Sequence, residues 1–407
     1  MKNEKNRTII QNLVNLSEVW HEEIPLSLGS WESFEVGENN ISFIGNHNLQ
    51  ILKDSLETLY NSNSEIANTI SIKYFKNELI STIRNIKKIG EQCSSDDVEF
   101  FFNKLLSIKL KEYEVFYILK GTKTSTEKEI INFGLFNVYN NGFSNIYLNK
   151  NYSEIGNRKD LLNKNKNHIL GIKVYAREKT KTIEIADKLC NTFENVINYM
   201  ISDLHHLRSI GVFNYKGTIH SETVVCSKES INISSSSEIS YPVNIEDEFF
   251  NSSELGNDRI WNILNNLKKT EIEERLINSI EWFGKAVLER DKTKSLIQFI
   301  FGIESMLQYN EKVFISPSIV SQLSDSLAFI IKTNHHERKQ IVKLFKELYK
   351  KRSAISHGSS QKILLSDLEI ILDVSQELIK TLLTVEPYSK MKTMKELNDY
   401  INELKYK

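Results

Sequence analysis

The stretch YKKRSAISHGSS, residues 349–360, contains the two side chains of this sequence that are best suited to chemistry. Arg352 is followed five positions later by His357, and Gly358 comes directly after the histidine. An imidazole exchanges protons near pH 7, so it can act as a general acid or base. A guanidinium is always charged and matches phosphate oxygens with a two-pronged array of donors. The two residue types together could transfer a proton beside a phosphate group.

The helix that would carry these residues raises a problem of geometry. Ile341, Phe345 and Leu348 form an apolar stripe, and Arg352 is the next position on the same face. A charge on an inward face is costly unless it is paired or lies in a cleft. His357 would lie about 140° further round at ~3.6 residues per turn. The two side chains can therefore converge only if the last turn opens, or if a second protomer supplies the other half.

An ordinary helix end would explain the same residues. Lysine, arginine and histidine are favoured in the last turn, where they complement the negative end of the helix dipole. Gly358 would then be the residue that ends the helix, because glycine accepts positive φ freely. Many helices contain an arginine and a histidine at this spacing by chance. On these residues alone, a functional and a purely structural interpretation both remain open.

The chain after residue 258 is predicted to be helical throughout. Apolar residues recur at helical spacing, and the connections between helices are short, so neighbouring helices should be antiparallel. The sequence predicts a helical bundle over residues 258–385 and a further helix over 386–407. Helix starts are predicted at four positions: Thr270 with Glu273, Ser316-Pro317, Asn334 with Glu337, and Ser366 with Glu369.

Residues 1–240 are predicted to form a mixed α/β module, which makes the whole chain α+β. Helices are expected over 72–89, closed by Gly90, over a segment capped by Ser95, and over 179–200. Segments 113–121 and 133–140 are rich in β-branched and aromatic residues and are expected to form a strand pair, with further strands at 169–176 and within 210–227. Residues 241–257 have no sustained period and are expected to be a linker.

Composition restricts the class of protein further. The 407 residues carry a net charge of −1, and from Asp258 onward there are 24 Lys and Arg against 20 Asp and Glu. This excess permits a nucleic-acid partner. The three cysteines are far apart, so neither a zinc site nor a disulfide framework is expected. The first residues lack a signal peptide's apolar stretch, and the longest apolar run, 296–303, is too short to span a bilayer. We therefore expect a cytoplasmic protein with no membrane role.

The segment LYKKRSAISHG resembles the signature of the HEPN superfamily (higher eukaryotes and prokaryotes nucleotide-binding), and most closely that of its Apea-like group. In that group a basic helix continues through Tyr, two variable residues, Arg-Ser, a small apolar pair and His-Gly. An upstream helix often has a Leu/Ile-Glu-x-Leu/Met core, and here residues 303–306 read Ile-Glu-Ser-Met. The resemblance covers about residues 280–385. It does not extend to residues 1–240.

The resemblance implies a four- to five-helix bundle and a metal-independent endoribonuclease without cofactors, often found in antiviral defence, abortive infection or toxin systems. Arg352 and His357 would be the catalytic residues, and one of each from two protomers would pair in a homodimer. Residues 1–240 would sense an unknown trigger. The supporting residues would be Tyr349, Ser353 and Glu304. Ser353 could orient a phosphate or merely cap the helix. Glu304 would pair with Arg352 or simply face a neighbouring helix.

Several lysines and histidines are further candidates for the expected function. Lys350 and Lys351 are candidates for contact with RNA. Lys339, Lys343 and Lys346 share a helical stripe with Lys350, but this stripe lies nearly opposite Arg352, and a solvated face explains it as well. The adjacent histidine pairs at 205–206 and 335–336 diverge by about 100° on a helix, so they do not form metal sites. The alternative to a nuclease is a non-catalytic bundle that acts as an interaction or ligand-binding scaffold, with Arg352 held structurally.

Overall fold

The computed structural model describes most of the chain, in nine stretches. These are residues 2–20, 30–36, 39–90, 92–125, 128–140, 168–217, 219–226, 231–309 and 319–405. The chain divides into two compact units. The first consists of Met1–Val115 with Lys173–Lys188, and the second consists of Phe116–Ile172 with Leu189–Lys407. The predicted α+β class is confirmed, because sheets and helices alternate toward the N-terminus and the described residues after 257 contain helices and no strand.

The first unit packs five helices with a small antiparallel sheet. The helices are α1 (Lys2–Leu16), α2 (Asn46–Asn61), α3 (Ser64–Thr69), α4 (Ile72–Ile89) and α5 (Ser95–Ser107). The strands are β1 (Glu18–Trp20), β2 (Trp31–Val36) and β3 (Asn39–Ile44), with β3 in the middle. The core centres on Phe75, whose ring lies 5.4 Å from that of Tyr60 and 5.1 Å from that of Phe101.

The helix ends of this unit follow local sequence signals. Gly90 ends α4 with φ of 148°, as predicted. The cap of α5 is Ser94 rather than the predicted Ser95. The Ser94 hydroxyl accepts the Asp97 N–H, and the Asp97 carboxylate accepts the Ser94 N–H, so the pair forms a capping box.

A second sheet has four strands in the order β4-β8-β7-β6. Its strands are β4 (Lys111–Leu119), β6 (Ile130–Phe133), β7 (Phe136–Tyr139) and β8 (His168–Ala176), while the short β5 (Thr122–Lys123) pairs elsewhere. The helix α6 (Lys179–Ile201) follows. The prediction that 113–121 and 133–140 pair with each other is wrong, because β8 lies between β4 and β7, and β7 forms its hairpin with β6.

Three further strands complete the mixed part of the chain. β9 (Ile219–Cys226) and β10 (Ile231–Glu238) form an antiparallel pair. β11 (Val243–Asn244) pairs in parallel with β5.

Seven α-helices are described in the C-terminal part of the second unit, outside residues 310–318. They are α7 (Asn257–Asn265), α8 (Glu271–Leu288), α9 (Lys292–Leu307), α10 (Ile319–Ile331), α11 (His335–Ser356), α12 (Leu365–Thr384) and α13 (Met394–Lys405). The predicted Thr270–Glu273 capping box opens α8, and the Asn334 side chain accepts the Glu337 N–H to open α11. Ser316-Pro317 lies outside the described residues.

The predicted start of α12 at Ser366 with Glu369 is wrong. The helix begins at Leu365, and the Asp367 carboxylate accepts the Leu364 N–H at 2.9 Å. Asp367 is largely buried, so its carboxylate stabilises the first turn more strongly than the exposed Ser366 could.

The compact units do not follow the predicted division into residues 1–240, a linker at 241–257 and a bundle. The hairpin of β6 and β7 belongs to the second unit, where an aromatic cluster joins it to the helices. Trp261 on α7 lies 5.2 Å from Phe133 and 5.9 Å from Phe193, measured between ring centroids. Within the expected linker, Phe250 is 2% exposed and packs on Phe133 at 6.2 Å. The linker residues therefore contribute to the core.

Gly284 sets the approach of α8 to α6, and its substitution tests this packing. A Cβ at this position would lie 1.9 Å from the carbonyl oxygen of Asn195, which is backbone and cannot rotate away. We expect Gly284→Ala to lower the free energy of unfolding by about 3 kcal/mol, the upper part of the range for overpacked cores. Urea denaturation measures the change, and Asn278→Ala, at an exposed position of α8, is the control. An unchanged midpoint for Gly284→Ala would contradict the close helix contact.

Candidate active site

The helix α11 ends at the predicted position, and its end has a defined geometry. His357 is the C-terminal cap, and its N–H lies 3.1 Å from the carbonyl oxygen of Ser353. Gly358 follows with φ of 79° and donates to the carbonyl of Ile355, while Ser359 donates to the carbonyl of Ala354. These two bonds form a Schellman motif, which requires a left-handed residue after the cap. Gly358 therefore ends the helix immediately after the histidine.

The His357 side chain is exposed at this end of α11. No residue that the structure describes is hydrogen bonded to its imidazole. Both ring nitrogens are therefore open to a substrate or to another protein chain.

Arg352 lies one and a half turns earlier and is packed against α9. Its guanidinium carbon lies 5.1 Å from the ring centroid of Phe301 and 5.5 Å from that of Tyr349. One guanidinium nitrogen is 3.5 Å from a carboxylate oxygen of Glu304, and the side chain remains 21% exposed. The buried Nε has no hydrogen-bond partner among the described residues. The cation is thus held by ring faces and a distant charge, and its donors remain largely unused.

Glu304 of α9 contacts two residues of α11, Arg352 and Tyr349. Its second carboxylate oxygen accepts a hydrogen bond from the Tyr349 hydroxyl at 2.8 Å. Burial raises the pKa of Tyr349, and its bond to the Glu304 carboxylate raises it further, so the phenol stays protonated and donates. Of the two alternatives for Glu304, the structure therefore has the ion pair with Arg352.

The remaining predicted residues diverge from Arg352. The Lys351 ammonium donates to both carboxylate oxygens of Asp367 at 2.7 Å, so this lysine is bound to α12. Lys350 points instead to a groove between α10 and α11. Ser353 is half-buried, and its carbonyl oxygen accepts the His357 N–H at the helix end. Only Tyr349, Glu304 and Arg352 are brought together at one place, and the consecutive residues 350–352 face three different surroundings.

The lysine stripe of α11 borders that groove of 660 Å³. Phe329 and Val342 contribute to its apolar wall. The groove is lined by four lysines of the stripe: Lys339, Lys343, Lys346 and Lys350. The side chains of all four lysines are exposed, so the stripe is solvated and also borders this groove.

Two aromatic residues near Arg352 were not expected from the sequence. Phe301 on α9 contacts the Arg352 guanidinium, and its ring lies 5.5 Å from that of Trp282 on α8. The Lys285 ammonium lies 4.8 Å above the Trp282 ring. The spacing of Trp282 and Lys285, which places them on one helix face, was a signal that could have indicated this neighbourhood.

No group of three or more His, Cys, Asp or Glu side chains within the nine described stretches is arranged to hold a metal ion. None of the helices in these stretches is both long and apolar enough to cross a bilayer.

Comparison with known proteins gives no relative for this chain. No protein-family model, no curated protein and no solved structure matches it.

Proposed function

We propose that this protein is a metal-independent endoribonuclease of the HEPN type. The observation that supports it most is the state of Arg352, a partly exposed guanidinium held on aromatic faces, on the helix that ends at an exposed His357. Its Nε has no hydrogen-bond partner in the described part of the chain. An arginine that only stabilised the bundle would be expected to use its donors on carbonyls. Arg259 of α7 does so, because it donates to the carbonyls of Leu383 and Ser389.

The proposed reaction needs only these two groups and the RNA itself. The 2′-hydroxyl attacks the adjacent phosphorus, and an imidazole takes its proton as general base. The bond from phosphorus to the 5′-oxygen breaks, and that oxygen takes up a proton from the imidazolium, which thereby acts as the general acid. The guanidinium stabilises the charge that builds on the phosphorane oxygens. The products are a 2′,3′-cyclic phosphate and a 5′-hydroxyl, and no water or metal ion is consumed.

A homodimer through the bundle would bring the two groups together. Arg352 is packed on α9, whereas His357 lies beyond the last turn, and nothing described links their side chains within one chain. If two copies of α11 meet across a cleft, the histidine of one protomer can face the arginine of its partner. In this proposal the N-terminal part responds to an unknown trigger in the cytoplasm, as in antiviral defence, abortive infection or toxin systems.

Glu304 would restrain this site at rest. A carboxylate paired with Arg352 repels an incoming phosphate and lowers the positive charge that the phosphate meets. RNA would have to displace the pair, which at 3.5 Å is longer than a charge-assisted hydrogen bond.

One observation favours the second candidate, a non-catalytic scaffold. The contacts of Arg352 with Glu304, Phe301 and Tyr349 are ones that a structural arginine can also make. The scaffold interpretation requires that the protein never cleaves RNA under any trigger.

The test is incubation of the pure full-length protein with single-stranded RNA and DNA in EDTA. We expect cleavage of RNA alone, because DNA lacks the attacking 2′-hydroxyl, and we expect EDTA to leave the rate unchanged. End analysis should find 2′,3′-cyclic phosphate and 5′-hydroxyl products. Products with a 5′-phosphate, or activity abolished by EDTA, would show that a different nuclease mechanism operates. If no trigger elicits cleavage, the scaffold candidate is favoured.

A further inference from the structure

A row of four side chains runs across three helices and ends at Arg352. We call this row, Lys285, Trp282, Phe301 and Arg352, the aromatic row. The Lys285 ammonium lies 4.8 Å from the centre of the Trp282 ring system. The Trp282 and Phe301 rings are 5.5 Å apart, and the Arg352 guanidinium lies 5.1 Å from the Phe301 ring. Two cations therefore flank two adjacent aromatic rings.

The rings of the aromatic row lie at the surface. Trp282 and Phe301 are both only partly buried, whereas Trp261 is 2% exposed and the stacked pair of Phe283 and Phe299 is fully buried. Part of each of these two side chains therefore remains accessible beside its cation. Partly exposed Trp and Phe next to cations are the combination used to bind single-stranded nucleic acid, because bases stack on rings and cations attract the backbone.

We propose that Trp282 and Phe301 form a base-stacking platform for single-stranded RNA that leads the strand to Arg352. The proposal rests on the proposed nuclease function and specifies which form of substrate the site takes. The two rings are inclined at 68° to each other, so one base cannot stack on both. Two neighbouring bases must therefore be splayed apart, which a single strand permits and a stacked duplex does not.

The charges of the aromatic row favour RNA over a second copy of this chain. In a two-fold interface the same patch faces itself. If the two-fold axis passed through the aromatic row, and not through the cleft between the two α11 helices, Lys285 and Arg352 would meet cations of the other copy or lose their contact with water, which is unfavourable without added acidic partners. Phosphates of a bound strand supply the opposite charge to both ends of the row.

The test measures binding to a strand that cannot be cleaved. A fluorescein-labelled 2′-O-methyl oligouridine is titrated with the full-length protein, and an abasic strand of equal length is titrated in parallel. Wild-type protein should bind the base-bearing strand more tightly. Trp282→Leu and Phe301→Leu should each weaken that binding about 5- to 150-fold, the range for losing one stacked base, and should leave abasic binding nearly unchanged. Trp282→Phe should keep part of the affinity for the base-bearing strand that Trp282→Leu loses.

Phe249→Leu is the matched control, because Phe249 is an exposed aromatic that also pairs with another ring, that of Phe250 at 5.5 Å. Equal binding of the two strands by wild-type protein would overturn the platform, as would leucine variants that bind like wild type. Leucine variants that change the sedimentation coefficient but not binding would assign the rings to a subunit interface and overturn it too. RNA cleavage is not measured here, so a protein that binds as predicted but never cleaves contradicts only the nuclease proposal.

Discussion

His357→Ala is expected to lower the rate of RNA cleavage by at least ~10²-fold, the low end of the contribution of a general acid–base residue. The imidazole is exposed at the cap of α11 and makes no hydrogen bond within the described residues, so its removal takes away proton transfer and little else. The stability change should stay within ~0.3–2 kcal/mol, the value of a histidine at a helix end. Cleavage of end-labelled RNA and the melting temperature should be measured on the same samples.

The control for this prediction is His336→Ala. His336 is an exposed histidine in the first turn of the same helix, bound to Gln340 at 3.0 Å, and its loss should leave cleavage unchanged.

Arg352→Ala should also lower cleavage by ~10²-fold or more, the low end for loss of one group that stabilises charge in the transition state. Its control is Arg338→Ala, because Arg338 also lies over a ring, at 4.1 Å from that of Phe329. A His357→Ala protein that cleaves as fast as wild type would exclude the proposed chemistry.

Glu194→Ala is expected to cost about 3–5 kcal/mol of unfolding free energy, because several bonds to one buried carboxylate are lost together. Glu194 on α6 is completely buried. One of its oxygens accepts the backbone N–H groups of Val212, Phe213 and Asn214, and the other accepts the Asn214 side-chain amide at 2.7 Å. Without the carboxylate, the loop that follows α6 loses these four hydrogen bonds to that helix and leaves donors without partners.

Guanidinium chloride denaturation, followed by circular dichroism, measures this change. The control is Glu184→Ala, which removes an exposed carboxylate of the same helix whose partner Lys181 is 3.6 Å away. An exposed pair of this kind contributes at most ~1 kcal/mol. Equal midpoints for Glu194→Ala and wild type would show that the loop does not depend on this carboxylate.

Helix starts could be predicted where the signal is local. The capping box at Thr270 with Glu273 and the cap at Asn334 join residues three positions apart, so four-residue sequence patterns contain all the partners. The predicted start of α12 at Ser366 was wrong because Asp367, which caps the helix, has a second role. It also accepts from Lys351 on another helix, and such a partner cannot be read from spacing.

Strand pairing could be predicted only in part, because it depends on residues far apart in the chain. β4 and β7 have the composition of strands, and both form. The strand that separates them, β8, follows β7 only after residues 141–167. Because β4 and β7 are closer in the sequence, their strand-like composition suggested that they pair with each other. The pairing of Glu304 with Arg352 was one of two sequence-based alternatives. The contacts of Phe301 and Trp282 were missed, because sequence periodicity does not give the rotation of one helix against another.

The aromatic cluster of the second unit has a consequence for synthesis on the ribosome. Phe133 and Phe136 leave the ribosome long before Trp261, the last residue of their aromatic cluster to be synthesised. At about 5–20 residues per second, the hairpin waits on the order of ten seconds with its apolar face exposed. Nascent chains that stop before α7 should therefore bind chaperones that recognise exposed aromatic segments. Release should follow once translation has passed α7 and the helix has left the exit tunnel.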